Sequence, residues 1–232
     1  MKALIKKEIR LLMEASGMAV LLDFLLPGVV LLFAMATAKL HALSPGQAGV
    51  DSFALFATCS FGLSSMFLSL TAPIALLERV TGILDTQLAL VGSPRPILLA
   101  KVAVLAGLAT GSFAVWALIG FGVSRFMAIP FVSVGAGGRA LFVVAVVFPL
   151  SIGLLSALHI FVGTVFPKMA PLANIVLFVV SFVAFSNLTS LSAGLTNTAV
   201  VNLGVMLACM GAVLVGVIWL MGLLPRERLL GS

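Results

Sequence analysis

Asp23, Cys59, His159 and Cys209 stand inside long apolar runs, where a titratable or metal-ligating side chain is costly to keep and is therefore the first place to look for chemistry. The spacing supports little of it. Cys59 and Cys209 lie far apart with no further Cys or His at metal-ligand spacing, so they read as small buried hydrophobes rather than a disulfide or a zinc site. His41 and His159 are isolated. His159 is a candidate for facing a substrate path or holding haem, set against the commoner case of a membrane histidine bonded to its neighbours. Asp23 precedes Pro27-Gly28 and sits a few residues inside an apolar boundary, so its carboxylate must pair, protonate or reach water, with Arg10 or Lys101 as candidate partners. No second acid lies inside an apolar run, so a proton relay lacks its other member. A Gly-rich phosphate loop ending in Lys and Ser or Thr is missing too, so the sequence predicts no ATP hydrolysis, no cofactor and no metal in this chain.

The elements that must position these residues follow from composition. With 62% hydrophobic and 9% charged residues and a mean hydropathy of +1.31, the 232-residue chain has too little polar surface for a soluble globule. It reads as an all-α, polytopic integral membrane protein with one membrane domain, residues 1–232. Helices rather than barrel strands are expected, because the apolar runs do not alternate and each is long enough to cross a ~30 Å hydrocarbon layer. Six spans are predicted, at 18–38, 53–77, 98–122, 139–165, 169–188 and 200–224, separated by stretches rich in Pro, Gly, Ser and Asn. The narrowest break is "FPKMAP". A tight turn there is expected because 139–188 as one helix would be about twice a bilayer.

Lys and Arg set the orientation. Placing the N-terminus in the cytoplasm puts Lys2, Lys6, Lys7, Arg10, Arg79, Arg95, Lys101, Lys168, Arg226 and Arg228 inside, against only Lys39, Arg125 and Arg139 outside. Both termini are therefore expected in the cytoplasm, and the protein in the cytoplasmic membrane. The net charge of +6 reads as this topology signal and as contact with anionic lipids, not as nucleic-acid binding. "MKALIKKEIRLLMEASG" is not a secretory signal. It intersperses Lys6, Lys7, Glu8, Arg10 and Glu14 with Leu4, Ile5, Ile9, Leu11 and Leu12 at helical spacing, which predicts an amphipathic helix on the membrane surface, its polar side facing lipid headgroups alone or a docked partner as well.

One connection is unlike the rest. "LLERVTGILDTQLALVGSPRPILLAKV", residues 76–102, gathers Glu78, Arg79, Asp85, Arg95 and Lys101 between two spans. Ile83, Leu84, Leu88 and Leu90 can form a short amphipathic helix that "GSPRP" ends, with the next helix restarting at Pro96. Elsewhere, Gly107 and Gly111 make a Gly-x-x-x-Gly face expected to pack within the subunit. Ser60, Ser64, Ser65, Ser69 and Thr71, with Asn187 and Asn202, are candidates either to line a pathway or to bond the backbone.

The order of residues in the polar connection resembles the cytoplasmic segment after the second span in permeases of the type 2 ATP-binding-cassette exporter family. That segment usually reads Glu-Arg, two residues, Gly-Thr-Leu-Glu, an aliphatic run, Pro-Val-Ser and later Gly-Lys. Here Glu78-Arg79, Gly82, Leu84 with acidic Asp85, Leu88 and Leu90, Ser93 and Lys101 stand at the matching places. Ile83 replaces the usual Thr, Gly92 precedes Ser93, and Ala100 replaces the Gly before Lys101. The resemblance implies a coupling helix formed by Glu78, Arg79, Gly82, Leu84, Asp85 and Leu88 that docks on a separate ABC ATPase subunit carrying ATP and Mg. It also implies a second permease copy, identical or different, meeting this one through the first and fifth spans. The implied function is export of a hydrophobic or amphipathic substrate, which the abundant aliphatic and Phe residues suit. A haem-export type subunit, and a non-transporting scaffold or small channel subunit, are the alternatives. A channel should show charged rings or carbonyl-lined loops, and no span has them.

Overall fold

The computed structural model describes residues 1–42, 52–76, 83–127, 129, 131–132, 137–193 and 197–224, and all regular structure among them is helical. The elements are α1 (Lys2–Ala42), α2 (Ser52–Leu76), α3 (Ile83–Val91), α4 (Pro94–Met127), α5 (Gly137–Phe142), a π-helical turn (Val143–Val147), α6 (Phe148–Val165), α7 (Ala170–Ala193) and α8 (Asn197–Leu223). Six of these segments, counting Gly137–Val165 as one, are long and apolar enough to cross a membrane. The protein is therefore a multi-pass helical membrane protein.

α1 is too long to be a single crossing. Its 41 residues would extend ~60 Å at 1.5 Å each, and the helix breaks at Ser16 (φ −148°, ψ 37°). Ser16-Gly17 is the kind of pair that interrupts a helix: the Ser16 hydroxyl donates back to the Leu12 carbonyl at 3.0 Å, and Gly17 carries no side chain to resist bending. The segment before the break turns Ile5, Glu8 and Leu12 inward. The pattern placed Glu8 among the outward polar residues, whereas it is buried.

Prolines shape the other helices. Pro94 and Pro96 occupy the first turn of α4, where a missing N–H costs nothing, so α4 starts two residues before the Pro96 restart read from sequence. Gly92 stops α3 by adopting φ 75°, with its N–H donating to the Leu88 carbonyl at 2.9 Å. Pro149 cannot donate to the carbonyl one turn earlier, and the turn just before it widens to a π-helix, in which the Phe148 N–H reaches Val143. The "FPKMAP" break is a tight turn, as expected: α6 ends at Val165, Met169 N–H donates to the Phe166 carbonyl at 3.0 Å, and α7 begins at Ala170.

α6 lies centrally, against α2, α4, α7 and α8, while α1 packs along α2 and α4. The core between them is aromatic. Phe113 of α4 stacks on Phe148 of α6 (centroids 3.7 Å) and on Phe56 of α2 (5.3 Å), and Phe61 of α2 stacks on Phe185 of α7 (4.1 Å). Phenylalanines that suggested a greasy substrate path in the sequence are thus largely spent on holding four helices together. The outer helices are less enclosed: 11% of the apolar window of α7 is buried, against 50% in α2.

Candidate functional site

Three polar assemblies stand out from this apolar packing. The first is at the end of the bundle where α4 begins. Lys101 Nζ donates to Glu8 Oε2 at 2.8 Å, and the two side chains are 1% and 5% exposed. The ion pair ties the segment before Ser16 to the first turns of α4. Arg95 lies against Gly222 near the end of α8, so the starts of α1 and α4 and the end of α8 share one end of the bundle. α3 sits at the same end, because Leu88 and Val91 pack on Ile97 of α4. Leu90, on its other side, is 83% exposed.

The coupling residues expected from sequence run from 78 to 88. Glu78, Arg79 and Gly82 lie outside the described residues. Leu84 and Asp85 fall within α3, where only their backbone is described, and Leu88 is buried against α4.

The second assembly surrounds Asp23. Pro27 has no N–H to give the Asp23 carbonyl one turn back, and Ser112 of α4 supplies the donor instead, Oγ to carbonyl at 2.8 Å. Trp116, one turn along α4, donates its indole N–H to the next carbonyl, that of Phe24. The indole fits only because position 28 is glycine: a Cβ there would lie 2.6–2.9 Å from three ring atoms of Trp116. Ser112 and Trp116 were not singled out from sequence, although their i, i+4 spacing on an otherwise apolar helix is a legible signal.

The Asp23 side chain is 5% exposed and faces the Ser64 hydroxyl of α2. Neither expected cation serves it. Lys101 is held by Glu8, and Arg10 by Glu14 at 2.8 Å one turn away on the exposed face of α1. The carboxylate has turned into the helix contact instead of snorkelling out.

The third assembly lies towards the C-terminal end of α2. His159 is 1% exposed, with Nδ1 2.8 Å from the Leu155 carbonyl and Nε2 3.2 Å from Ser69 Oγ. A carbonyl only accepts, so Nδ1 donates to Leu155. Ser69 Oγ also donates to the Ser65 carbonyl at 3.0 Å. Ser69 then lines a cavity of about 500 Å³ with Met66, Pro167, Pro171, Asn174 and Phe178. The cavity is apolar apart from Ser69 and Asn174, whose Oδ1 is buried and unpartnered. His159 stands behind this wall and does not line the cavity.

The remaining candidates are dispersed. Ser65 and Thr71 bond carbonyls of their own helix, Asn187 donates to Val183 at 2.9 Å, and Asn202 is exposed. Gly107 and Gly111 face outward with no atom within 4 Å of a Cβ, so the Gly-x-x-x-Gly face does not pack within the subunit as expected. Cys59 is partly buried, Cys209 is exposed, and both are free thiols. Among the described residues no group of His, Cys, Asp and Glu is placed to hold a metal. No family model, characterised protein or solved structure matches the chain.

Proposed function

We propose that this chain is the membrane-spanning permease subunit of an ATP-driven exporter, which moves a hydrophobic or amphipathic substrate across the cytoplasmic membrane using a separate ATPase subunit. The observation that carries the reading is α3. A nine-residue helix set between two spans is anchored through Leu88 to Ile97 of α4, while Leu90 stays uncovered on its other side. Its sequence is the part of the chain that resembles a coupling helix. A rigid element fastened to the start of a span moves that span when it is pushed, which is what coupling to a soluble motor demands.

Two further features support the reading. The basic residues Lys2, Lys6, Lys7, Arg10, Arg95 and Lys101 cluster with α3 at one end, as expected of a cytoplasmic face that meets both anionic lipid and a partner. The segment before Ser16 then acts as the interfacial helix, with the Glu8–Lys101 pair joining it to the span that α3 moves. The cavity between α2 and α7 offers an apolar foothold with Ser69 and Asn174 as its polar handles, suited to an amphiphile. A second permease copy would cover the exposed apolar faces of α1 and α7, and ATP and Mg would be held by the partner.

The test uses a photocrosslinking residue at Leu90 in native membranes, combined with azido-ATP labelling. Crosslinking to a nucleotide-labelled subunit is the expected result. In vesicles holding the chain and that subunit, Glu78→Ala and Leu84→Asp should separate ATP hydrolysis from movement of a fluorescent lipid analogue. Wild-type behaviour in both variants, with no crosslinked ATPase, would leave a scaffold role as the better description.

A further inference from the structure

Asn174, one turn inside α7, holds a buried acceptor that no described residue serves. The side chain is 7% exposed and its Oδ1 has no hydrogen-bond partner, whereas Asn187 on the same helix donates to the carbonyl of Val183. Asn174 lines the cavity of about 500 Å³ between α2 and α7. Ser69, the other polar residue of that lining, cannot supply the donor, because the Ser65 carbonyl takes its single hydroxyl proton. A buried amide oxygen without a donor is costly, so the missing donor belongs to what fills the cavity.

The walls define the rest of that occupant. Apart from Ser69 and Asn174 the lining is apolar, and its volume falls in the range of small-molecule sites, ~300–1,000 Å³. Water alone suits it poorly, since each buried water needs about two to four polar partners and only two polar side chains are present. No charged side chain lines the cavity, so an ionised head would lose its hydration there without gaining a counter-charge. An uncharged head is selected. Entry is from the bilayer, because Met66 and Ile175 of the lining are also 56% and 63% exposed on the apolar surface of their spans. Asn174 lies four residues beyond Ala170, the first of α7, which puts its amide ~6 Å along the helix from the α6–α7 turn. Met66 and Phe178 line the cavity about one turn deeper, on α2 and α7 respectively. A polar atom just under the interface with an apolar wall below it is the layout of an amphiphile lying along the bundle.

We propose that the α2–α7 cavity binds one uncharged amphiphile, a long chain ending in a hydroxyl, whose O–H donates to Asn174 Oδ1 while the chain lies against Met66 and Phe178. That this amphiphile is what the protein moves rests on the exporter reading. The site itself is tested on the chain alone, without an ATPase.

The test is photolabelling of the purified full chain in phosphatidylcholine nanodiscs by a long-chain primary alcohol carrying a diazirine, with the labelled peptides identified by mass spectrometry. Saturable labelling of the peptides holding Met66 and Phe178 is expected. Unlabelled 1-hexadecanol should compete, whereas its methyl ether, which keeps the chain and the oxygen but cannot donate, should compete about ten-fold less well, as should hexadecyl sulfate. Asn174→Leu should weaken labelling by about ten-fold, an effect of ~1.4 kcal/mol. Asn187→Leu, the same change at an exposed site on the same helix, should label like wild type. Labelling that does not saturate overturns the site, and so does an Asn174→Leu variant labelled like wild type. Equal competition by the ether overturns the donor role, and equal competition by the sulfate overturns the choice of an uncharged head. Should Asn174→Leu fail to fold, the ether competition on the wild-type chain decides.

Discussion

Replacing Lys101 by Met should destabilise the chain by ~3–5 kcal/mol, although the ion pair it belongs to contributes little as a whole. At the observed 2.8 Å separation, two unit charges attract by ~6 kcal/mol for an effective dielectric of about 20. Withdrawing each ion from water costs several kcal/mol after relaxation, so the two terms nearly cancel for the intact pair. Removing the ammonium deletes the attraction and leaves the Glu8 carboxylate, 5% exposed, without this cation. The double variant Glu8→Gln/Lys101→Met removes both charges and should recover most of the loss. The assay is equilibrium unfolding in mixed micelles followed by tryptophan fluorescence, run as a double-mutant cycle. The coupling between the two positions should be several kcal/mol, against ~0–1 kcal/mol for Arg10 and Glu14, which are 81% and 59% exposed. A cost below ~1 kcal/mol for Lys101→Met, or a double variant as damaged as the single, would refute the buried-pair argument.

Two further outcomes test the packing and the topology. Gly28→Ala should destabilise by ~1–3 kcal/mol through overpacking, since its Cβ would meet the Trp116 ring at 2.6–2.9 Å; Trp116→Phe in the same chain should relieve part of that clash, and a Gly28→Ala variant as stable as wild type in thermal unfolding would contradict it. In a background without Cys59 and Cys209, Leu90→Cys and Met127→Cys, both strongly exposed and at opposite ends of the α3–α4 unit, should label from opposite sides of the membrane, Leu90→Cys from the cytoplasm; labelling of Leu90→Cys from outside intact cells would reverse the orientation.

The sequence by itself determined the class, the number of crossings and most of their limits, because burial in lipid is read from hydropathy and length without knowing any partner helix. The turn at "FPKMAP" and the end of α3 before "GSPRP" were legible for the same local reason: Pro and Gly constrain the backbone wherever they stand. The start of α4 was misplaced by two residues, since Pro94 and Pro96 both suit a first turn and periodicity alone does not choose between them. Pairings were not legible. Lys101 was a candidate partner for Asp23, but which acid it meets depends on how α1 bends at Ser16, and that bend brings Glu8 to it instead. The Gly-x-x-x-Gly face of α4 looked like an internal contact and turned out to point outward, because a small-residue stripe records what a helix permits and not what lies beside it. Ser60 and Ser64 are indistinguishable in sequence from Ser65 and Ser69. Only the packing of α1 across α2 separates Ser64, which faces Asp23, from Ser65 and Ser69, which bond their own helix, since a contact between helices is a property of two surfaces and a single sequence specifies each surface only singly.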